Sequence, residues 1–230
     1  MAGRLVIEGL ACGRAGRLVV PPLTLALAPG EAVLVTGENG AGKSTLLRTL
    51  AGLLPPLAGA VRVEGFAGAS GEPARSASEI AHYLGHRNAL KGGRTAGAEL
   101  GFWQSYLGGR ALSPREALEA VGLPGAVPFR CHDLSAGQAR RAALARLLVA
   151  HRPLWLLDEP TTALDAKAQD GFARLCRLHL AEGGLILAAT HQPLDLGPEA
   201  RTLRLEPPAP STAADFESSI ESDETWEAIG

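Results

Sequence analysis

The sequence predicts an α/β protein with a mostly parallel sheet that is covered by helices on both faces, and three observations predict this class. Apolar stretches such as 154–157 and 185–189 lack the polar alternation of a half-exposed strand, which indicates burial of both faces. A segment of helical composition precedes each of these stretches, 136–150 and 166–180 respectively, as crossovers between parallel strands require. A glycine-rich segment, 37–45, also lies between an apolar strand and a helix.

The N-terminal half of the chain is predicted to alternate short strands with turns. Pro-Pro at 21–22 and Pro-Gly at 29–30 predict turns, and Gly52 predicts the end of the first helix. Residues 65–71 are mostly small and predict a loop. The predicted strands are 4–8, 23–27, 31–36 and 60–63, and the predicted helix is 44–51.

The C-terminal half carries most of the predicted helix. Ser113-Pro114 with Glu116 forms a capping-box pattern that begins one helix, and an Ala-, Leu- and Arg-rich stretch of high propensity forms another. The predicted helices are 95–107, 113–121, 136–150 and 166–180, and the predicted strands are 154–157, 185–189 and 202–205.

The composition fits a globular domain. The chain has 230 residues, 46% of them hydrophobic, enough for one α/β domain or at most two small ones. No apolar run approaches the roughly 18–20 residues of a membrane span. The first residues lack the apolar core of a secretory signal, so we expect a chain that stays in the cytosol. The three cysteines show no metal-binding or haem-attachment spacing and are expected to be free thiols.

Charge is distributed unevenly along the chain. The formal net charge is −2, but seven of the 24 acidic residues and none of the 22 basic residues lie in 206–230. That segment has no helical or strand periodicity and is predicted to be a disordered acidic tail, with an acidic docking peptide as the alternative. The rest of the chain is mildly basic, which suits a polyanionic ligand.

The first motif that indicates chemistry is the segment Gly37-Glu38-Asn39-Gly40-Ala41-Gly42-Lys43-Ser44-Thr45, which matches the P-loop pattern G-x-x-x-x-G-K-[ST]. Its glycines allow backbone N–H groups to turn toward phosphate oxygens, and the helix that follows points its positive end at the same place. We therefore expect nucleotide binding, with Lys43 at the β- and γ-phosphates and the Ser44 hydroxyl on Mg²⁺.

Two adjacent carboxylates, Asp158 and Glu159, follow the apolar strand 154–157. An acid at the carboxyl end of a parallel strand lies at the ligand crevice. After a P-loop, this pattern predicts Asp158 as a Mg²⁺ ligand, largely through water, and Glu159 as the group that polarises the water attacking the γ-phosphate. The pair favours hydrolysis over the transfer of phosphate to a second substrate, which a P-loop kinase performs.

The segment Leu134-Ser135-Ala136-Gly137-Gln138 begins one of the predicted helices, and S-x-x-Q by itself is a capping box. Between a P-loop and Asp158, however, it resembles the signature motif of ABC ATPases, normally L-S-G-G-Q. That resemblance implies a P-loop NTPase core in residues 1–205, with an N-terminal antiparallel β part and a small helical subdomain at about 88–150. It also implies that the signature faces the ATP bound by a second copy of the chain.

Two further elements follow in the order typical of ABC ATPases. The segment 162–165 resembles the D-loop, which places Asp165 at the dimer interface. His191, after the strand 185–189, resembles the switch histidine that contacts the γ-phosphate. The resemblance therefore runs from Gly37 to His191, about two-thirds of the chain.

The chain departs from the ABC pattern at two places. The family usually has a Gln on the loop after a central strand, in contact with Mg²⁺ and the attacking water, whereas this chain has His86 there. An aromatic residue usually stacks on adenine before the P-loop, but residues 1–36 contain no Phe, Tyr or Trp. Arg14 or Arg17 is the candidate to stack on the base instead.

The first departure, His86 in place of the usual Gln, points to one group within the ABC ATPases. Tyr83-Leu84-Gly85-His86, Lys91, the segment 98–103 and the 136–141 stretch resemble the ATP-binding subunits of haem exporters in cytochrome c maturation, over residues 3–205. That resemblance implies an ATP-dependent dimer bound to an integral membrane subunit, at the cytoplasmic face of the bacterial inner membrane. ATP hydrolysis with Mg²⁺ would be coupled to haem delivery, with no nucleic-acid partner and no membrane span in this chain.

Two other functions remain as alternatives. The more serious is the ATPase subunit of an ABC transporter for another substrate. A soluble ABC ATPase of translation or DNA repair is disfavoured, since such proteins have tandem domains or long insertions, whereas this chain has one P-loop and a short segment between His86 and Ser135.

Overall fold

The computed structural model describes residues 3–68, 71–108 and 111–206, which form two β-sheets and the helices that pack on them. All but the first residue of the predicted acidic tail lies outside the described residues. The strands are β1 (Arg4–Arg14), β2 (Arg17–Leu27), β3 (Ala32–Thr36), β4 (Pro56–Glu64), β5 (Ala81–Leu84), β6 (Leu154–Asp158), β7 (Leu185–Ala189) and β8 (Arg201–Arg204). The α-helices are α1 (Lys43–Leu50), α2 (Ala77–Ile80), α3 (Ala96–Leu107), α4 (Pro114–Ala120), α5 (Ala136–Val149) and α6 (Ala166–Ala181).

The first sheet is antiparallel and has the order β2-β1-β4. The prediction of a turn at 21–22 was wrong, because Pro21 and Pro22 lie inside β2. They fall where the pairing between β1 and β2 is irregular, between Leu10 and Cys12, and β2 is an edge strand. A proline without an N–H donor is tolerated at such a place, so these residues interrupt the ladder without ending the strand.

The second sheet has the order β5-β6-β7-β3-β8 and is parallel throughout. Alternate residues of β6 face opposite layers, with Leu154 and Leu156 in the core beside α1, and Trp155 and Leu157 in the core beside α5 and α6. The antiparallel sheet covers the α1 layer. The predicted fold class is therefore confirmed, although β5 and the short α2 were not predicted.

Helices α3, α4 and α5 pack around a third apolar cluster that is separate from those on the parallel sheet. Leu100 of α3, Leu118 of α4 and Val149 of α5 are buried within it. Because α5 also contributes Leu144 and Leu147 to the core beside β6, it connects this helical layer to the sheet. Among the described residues, no helix is both long and apolar enough to cross a membrane.

Candidate functional site

The loop between β3 and α1 adopts a conformation that depends on glycine. Gly37, Gly40 and Gly42 have φ angles of 143°, 88° and 94°, in the region that other L-residues rarely adopt. At Gly42, which caps α1, a Cβ would lie 2.5 Å from a methyl of Val20, so the loop also packs too closely against β2 to admit a side chain. These restraints leave the first N–H groups of α1 facing the cavity into which the loop opens.

Lys43 is held by the loop that precedes it. Its side chain is 8% exposed, and its Nζ donates to the carbonyls of Gly37 at 2.7 Å and Glu38 at 3.0 Å. A primary ammonium has three donors, so one remains for a ligand that enters the loop. The motif therefore folds as a preformed cradle in which one positive charge and several N–H groups face the same space.

Ser44 and Asp158 meet across the parallel sheet, because α1 begins where β6 ends. The Ser44 hydroxyl donates to Asp158 Oδ1 at 2.9 Å, and the Tyr83 hydroxyl lies 3.5 Å from Asp158 Oδ2. Burial, the largest cause, raises the pKa of Tyr83, which keeps that phenol protonated as a donor. Arg48 Nε completes the chain by donating to Tyr83 Oη at 3.3 Å.

The oxygens of Ser44 and Asp158 form a donor set that fits Mg²⁺. The ion takes few protein ligands, typically hydroxyl or carboxylate oxygens, and leaves its other positions to water and substrate phosphates. The described residues contain no cluster of three or more His, Cys, Asp or Glu side chains of the kind that would enclose a metal ion. Two oxygens at the mouth of a phosphate cradle agree with Mg²⁺ bound together with a nucleotide.

Glu159 and His191 face each other at the ends of the neighbouring strands β6 and β7. Glu159 has a φ of 49°, and its N–H donates to the carbonyl of Ala189 at 2.8 Å. The His191 N–H donates to Glu159 Oε2 at 3.3 Å, and His191 Nε2 lies 3.7 Å from Oε1. The left-handed turn at Glu159 therefore aims its carboxylate across the end of the sheet and away from β6.

One cavity of about 590 Å³ brings most of the predicted site together. Its wall includes Asn39, Gly40, Gly42, Lys43, Ser44, Thr45, Asp158, Glu159, Thr162, His191, His86, Arg14 and Val19. His86 thus lies in the same cavity as the carboxylates, although it stands where a glutamine is usual. Of the two arginines proposed to stack on a base, Arg14 lines this cavity and Arg17 does not.

The signature segment does not line that cavity. The Ser135 hydroxyl accepts from the Gln138 N–H at 3.2 Å, and the Gln138 side chain accepts from the Ser135 N–H at 2.9 Å, so the capping box of α5 is present. Ser135 is exposed. Gly137 faces the carbonyl of Ala163, 3.1 Å from where its Cβ would lie, so the signature and the D-loop-like segment share one surface.

Asp165 also lies outside the cavity. Its carboxylate caps α6 by accepting from the Ala168 N–H at 2.8 Å, and its side chain is exposed. Within one chain, therefore, none of the residues Leu134, Ser135, Ala136, Gly137, Gln138 and Asp165 lines that cavity. Ser135, Ala136 and Asp165 are exposed, so another molecule can reach them.

Arg140 is a buried residue of the site to which the sequence reasoning gave no role. Its guanidinium, on the second turn of α5, donates to the carbonyls of Asp158, Glu159, Pro160 and Gly85 and to Asn88 Oδ1. Its side chain is 2% exposed. The available signal was an arginine four residues after Ala136, the first residue of the Ala- and Leu-rich helix α5.

Comparison with known proteins places this geometry in a family. The family model "ABC transporter" matches residues 20–162. The cytochrome c biogenesis ATP-binding export protein CcmA of Rhodopseudomonas palustris is 51% identical over 86% of this chain and 96% of that protein. The protein of the same name from Rhizobium meliloti is 54% identical over 83% of this chain and 92% of that protein.

Solved structures resemble the fold at lower identity. The ATP-binding subunit of an ABC transporter superimposes with a TM-score of 0.75 at 22% identity, over 96% of this chain and 95% of that one. An ATP-binding cassette solved as a dimer after hydrolysis, with ADP and Pi, superimposes with a TM-score of 0.72 at 21% identity, over 89% of this chain and 97% of that one. These structures agree with the two-sheet architecture described above. The family model and the identity to these bacterial proteins show that the chain belongs to the ABC transporter family of ATP-binding proteins, among the relatives of CcmA.

Proposed function

We propose that this chain is the ATP-hydrolysing, energy-coupling subunit of a membrane ABC complex for cytochrome c-type biogenesis. The observation that carries the hydrolytic part is the pairing of Glu159 with His191 in the cavity that also holds Lys43. A carboxylate there can orient a water molecule toward the last phosphate of a nucleotide bound in the loop.

The residues of the cavity have separate roles in ATP hydrolysis. The N–H groups of 37–45 and Lys43 bind the phosphates. Ser44 and Asp158 would hold Mg²⁺, which would supply positive charge to neutralise the phosphates. Glu159 accepts a proton from the attacking water, and His191 contacts the γ-phosphate and restrains the Glu159 carboxylate. His86, on the loop after β5, lines the same cavity as the two carboxylates, where it would contact Mg²⁺ and the attacking water.

The signature completes the site from a second copy of the chain. Ser135 lies at the N-terminus of the 14-residue helix α5, where unpaired N–H groups and the helix dipole favour an anion. In one chain this end does not line the cavity that contains the P-loop, and it would reach a phosphate only in a head-to-tail dimer. Asp165, on the same surface, would then lie at the dimer interface, and the γ-phosphate would bridge the two copies.

The membrane partner and the process are proposed from the relatives. The name of these relatives assigns them to cytochrome c biogenesis and to export. They are slightly more than 50% identical to this chain over most of both sequences. We therefore place this chain on the cytoplasmic face of the bacterial inner membrane, bound to an integral membrane subunit and coupled to haem delivery. Transport of another substrate is the second candidate, because no described residue identifies the cargo.

Replacement of Glu159 by Gln tests the hydrolytic role and the dimer together. Glu159→Gln keeps the shape of the side chain but removes the carboxylate that acts as a base. The variant should therefore bind ATP but hydrolyse it about 10²–10⁴-fold more slowly. It should also sediment as a dimer in ATP and as a monomer in ADP. Adding Ser135→Arg should abolish the ATP-dependent dimer while ATP binding by the monomer remains.

The membrane assignment needs a separate experiment. The full chain should co-purify with integral membrane proteins of cytochrome c maturation from detergent-solubilised membranes, and mass spectrometry would identify them. Recovery of a transporter subunit from another system would favour the second candidate. An active Glu159→Gln variant would instead contradict the role of Glu159, whatever the partner.

A further inference from the structure

The Arg140 side chain connects two loops that face the nucleotide cavity. Its Nη2 donates to the carbonyls of Asp158 at 3.2 Å and Glu159 at 2.5 Å, and its Nε donates to Pro160 at 3.0 Å. Its Nη1 donates to the carbonyl of Gly85 at 3.0 Å and to Asn88 Oδ1 at 3.2 Å. One guanidinium thus holds both the loop that carries Glu159 and the loop that carries His86.

The surroundings of Arg140 indicate that this arrangement has a function beyond packing. Burial lowers the pKa of Arg140 to about 10, against the opposing charge of Asp158, and the group remains a cation at neutral pH. The five bonds end on four main-chain carbonyls and one amide oxygen. Burying a cation on neutral acceptors is costly compared with an apolar side chain of the same size.

The bonds of Arg140 end where the main chain is strained. Glu159 has a φ of 49°, which a non-glycine residue keeps only when its surroundings determine it. The Glu159 N–H is fixed by Ala189 on one side and its carbonyl by Arg140 on the other. Since the φ angle sets the direction of the side chain, these two contacts fix where the carboxylate points.

We infer that Arg140 is a positioning residue that couples the signature helix to the hydrolytic centre of its own chain. The inference rests on the proposed function, in which Ser135 at the start of α5 contacts the ATP of the other copy. Arg140 lies five residues further along that helix and holds the main chain of Glu159 and of Gly85. A shift of α5 when Ser135 engages a phosphate would therefore move Glu159 and the His86 loop together.

The first test is Arg140→Lys in the full chain. An ammonium cannot reach both loops, so Glu159 should lose its alignment while the P-loop, which Arg140 does not contact, stays intact. We expect kcat to fall about 10²-fold, as for a misplacement of about 1 Å, with the Kd for ATP unchanged. Arg141→Gln is the matched control, because the Arg141 guanidinium donates to the Gly122 carbonyl at the end of α4, away from the cavity.

A double variant shows whether Arg140 acts through Glu159. In a Glu159→Gln background, single-turnover hydrolysis should be nearly insensitive to Arg140→Lys, because the group being positioned is already disabled. Additive losses would mean that Arg140 acts on structure in general and would overturn the inference. Asn88→Ala removes one acceptor without emptying the core, and it should lower kcat severalfold at unchanged Kd even if Arg140→Lys does not fold.

The outcomes separate the two proposals. Wild-type kcat in both Arg140→Lys and Asn88→Ala, with Glu159→Gln inactive, overturns the positioning role and leaves the proposed ATPase mechanism standing. A Glu159→Gln variant with wild-type turnover overturns the mechanism itself, and the role of Arg140 with it. A rise in the Kd for ATP equal to the loss of kcat/KM in Arg140→Lys would also overturn the inference, since it would place Arg140 in nucleotide binding.

Discussion

The Ser44 hydroxyl donates to Asp158 Oδ1 at 2.9 Å, although the two residues are 114 positions apart in the sequence. The contact joins the first turn of α1 to the last residue of β6. It presents a hydroxyl and a carboxylate to one point at the mouth of the phosphate cradle. This is the point at which the bound nucleotide and Mg²⁺ would meet.

Ser44→Ala should weaken Mg²⁺ binding more than it weakens nucleotide binding. Loss of one oxygen should raise the free Mg²⁺ needed for half-maximal hydrolysis by roughly 10–100-fold. Calorimetric titration of ATP with and without Mg²⁺ measures the same change without turnover, and chelation by EDTA should stop hydrolysis in the wild type. Ser105→Ala, on α3, is the control, and equal Mg²⁺ dependence in both variants would remove Ser44 from the metal site.

Lys43→Ala should abolish turnover and weaken ATP binding. Lys43 is nearly buried, and a charge-assisted contact between its ammonium and a bound phosphate would be worth roughly 1.5–3 kcal/mol, about 10–100-fold in Kd. Fluorescence titration with a labelled ATP analogue measures that loss. Lys167→Ala, an exposed lysine on α6, should bind like the wild type. Wild-type hydrolysis in Lys43→Ala would refute the assignment of 37–45 as the phosphate cradle.

Arg14 should contribute to binding of the nucleotide base. It lines the cavity from the β1–β2 hairpin, where an aromatic ring is usual in the family. A guanidinium over the base is worth roughly 0.5–1 kcal/mol, so Arg14→Ala should weaken ATP binding severalfold. Arg17→Ala, in the same hairpin but outside the cavity wall, should have no effect. If the two variants have equal affinities for ATP, the base does not stack on Arg14.

Stability should fall as the pH drops below about 6.5, because two buried histidines are neutral in the folded chain. Burial lowers the pKa of His82 from 6.5 to about 3 and that of His179 from 6.5 to about 4. The unfolded chain binds these protons between those values and 6.5, so the free energy of unfolding decreases with falling pH over that window. At pH 5, each of these buried imidazoles should lower the free energy of unfolding by about 2 kcal/mol relative to its value above pH 6.5.

Urea unfolding at pH 7 and pH 5 measures this loss. His179→Phe keeps an aromatic ring stacked on Trp155, which His179 contacts at a centroid distance of 4.0 Å. This variant should therefore lose less stability between the two pH values than the wild type. If His179→Phe loses as much stability between pH 7 and pH 5 as the wild type, His179 does not contribute to the pH dependence of stability.

Much of the fold and the composition of the site follow from local sequence. Buried strands such as β6 and β7 have uninterrupted apolar residues, and the glycines of 37–45 permit a loop that few other residues could form. Both signals depend on neighbours in the chain, so they can be read without tertiary structure. The prolines of β2 show the limit of this approach, since only pairing with β1 reveals that the strand continues through them.

The sequence by itself determined the fold class, the glycine-rich loop proposed to bind phosphate and the presence of a carboxylate pair after a buried strand. Tertiary structure decided which of these groups meet: Ser44 with Asp158, Glu159 with His191, and Arg140 with both loops. It also decided that Ser135 does not line the cavity of its own chain. The physical reason is that helix and strand preferences act over a few residues, whereas these contacts depend on how the carboxyl ends of parallel strands and the start of α1 are packed together.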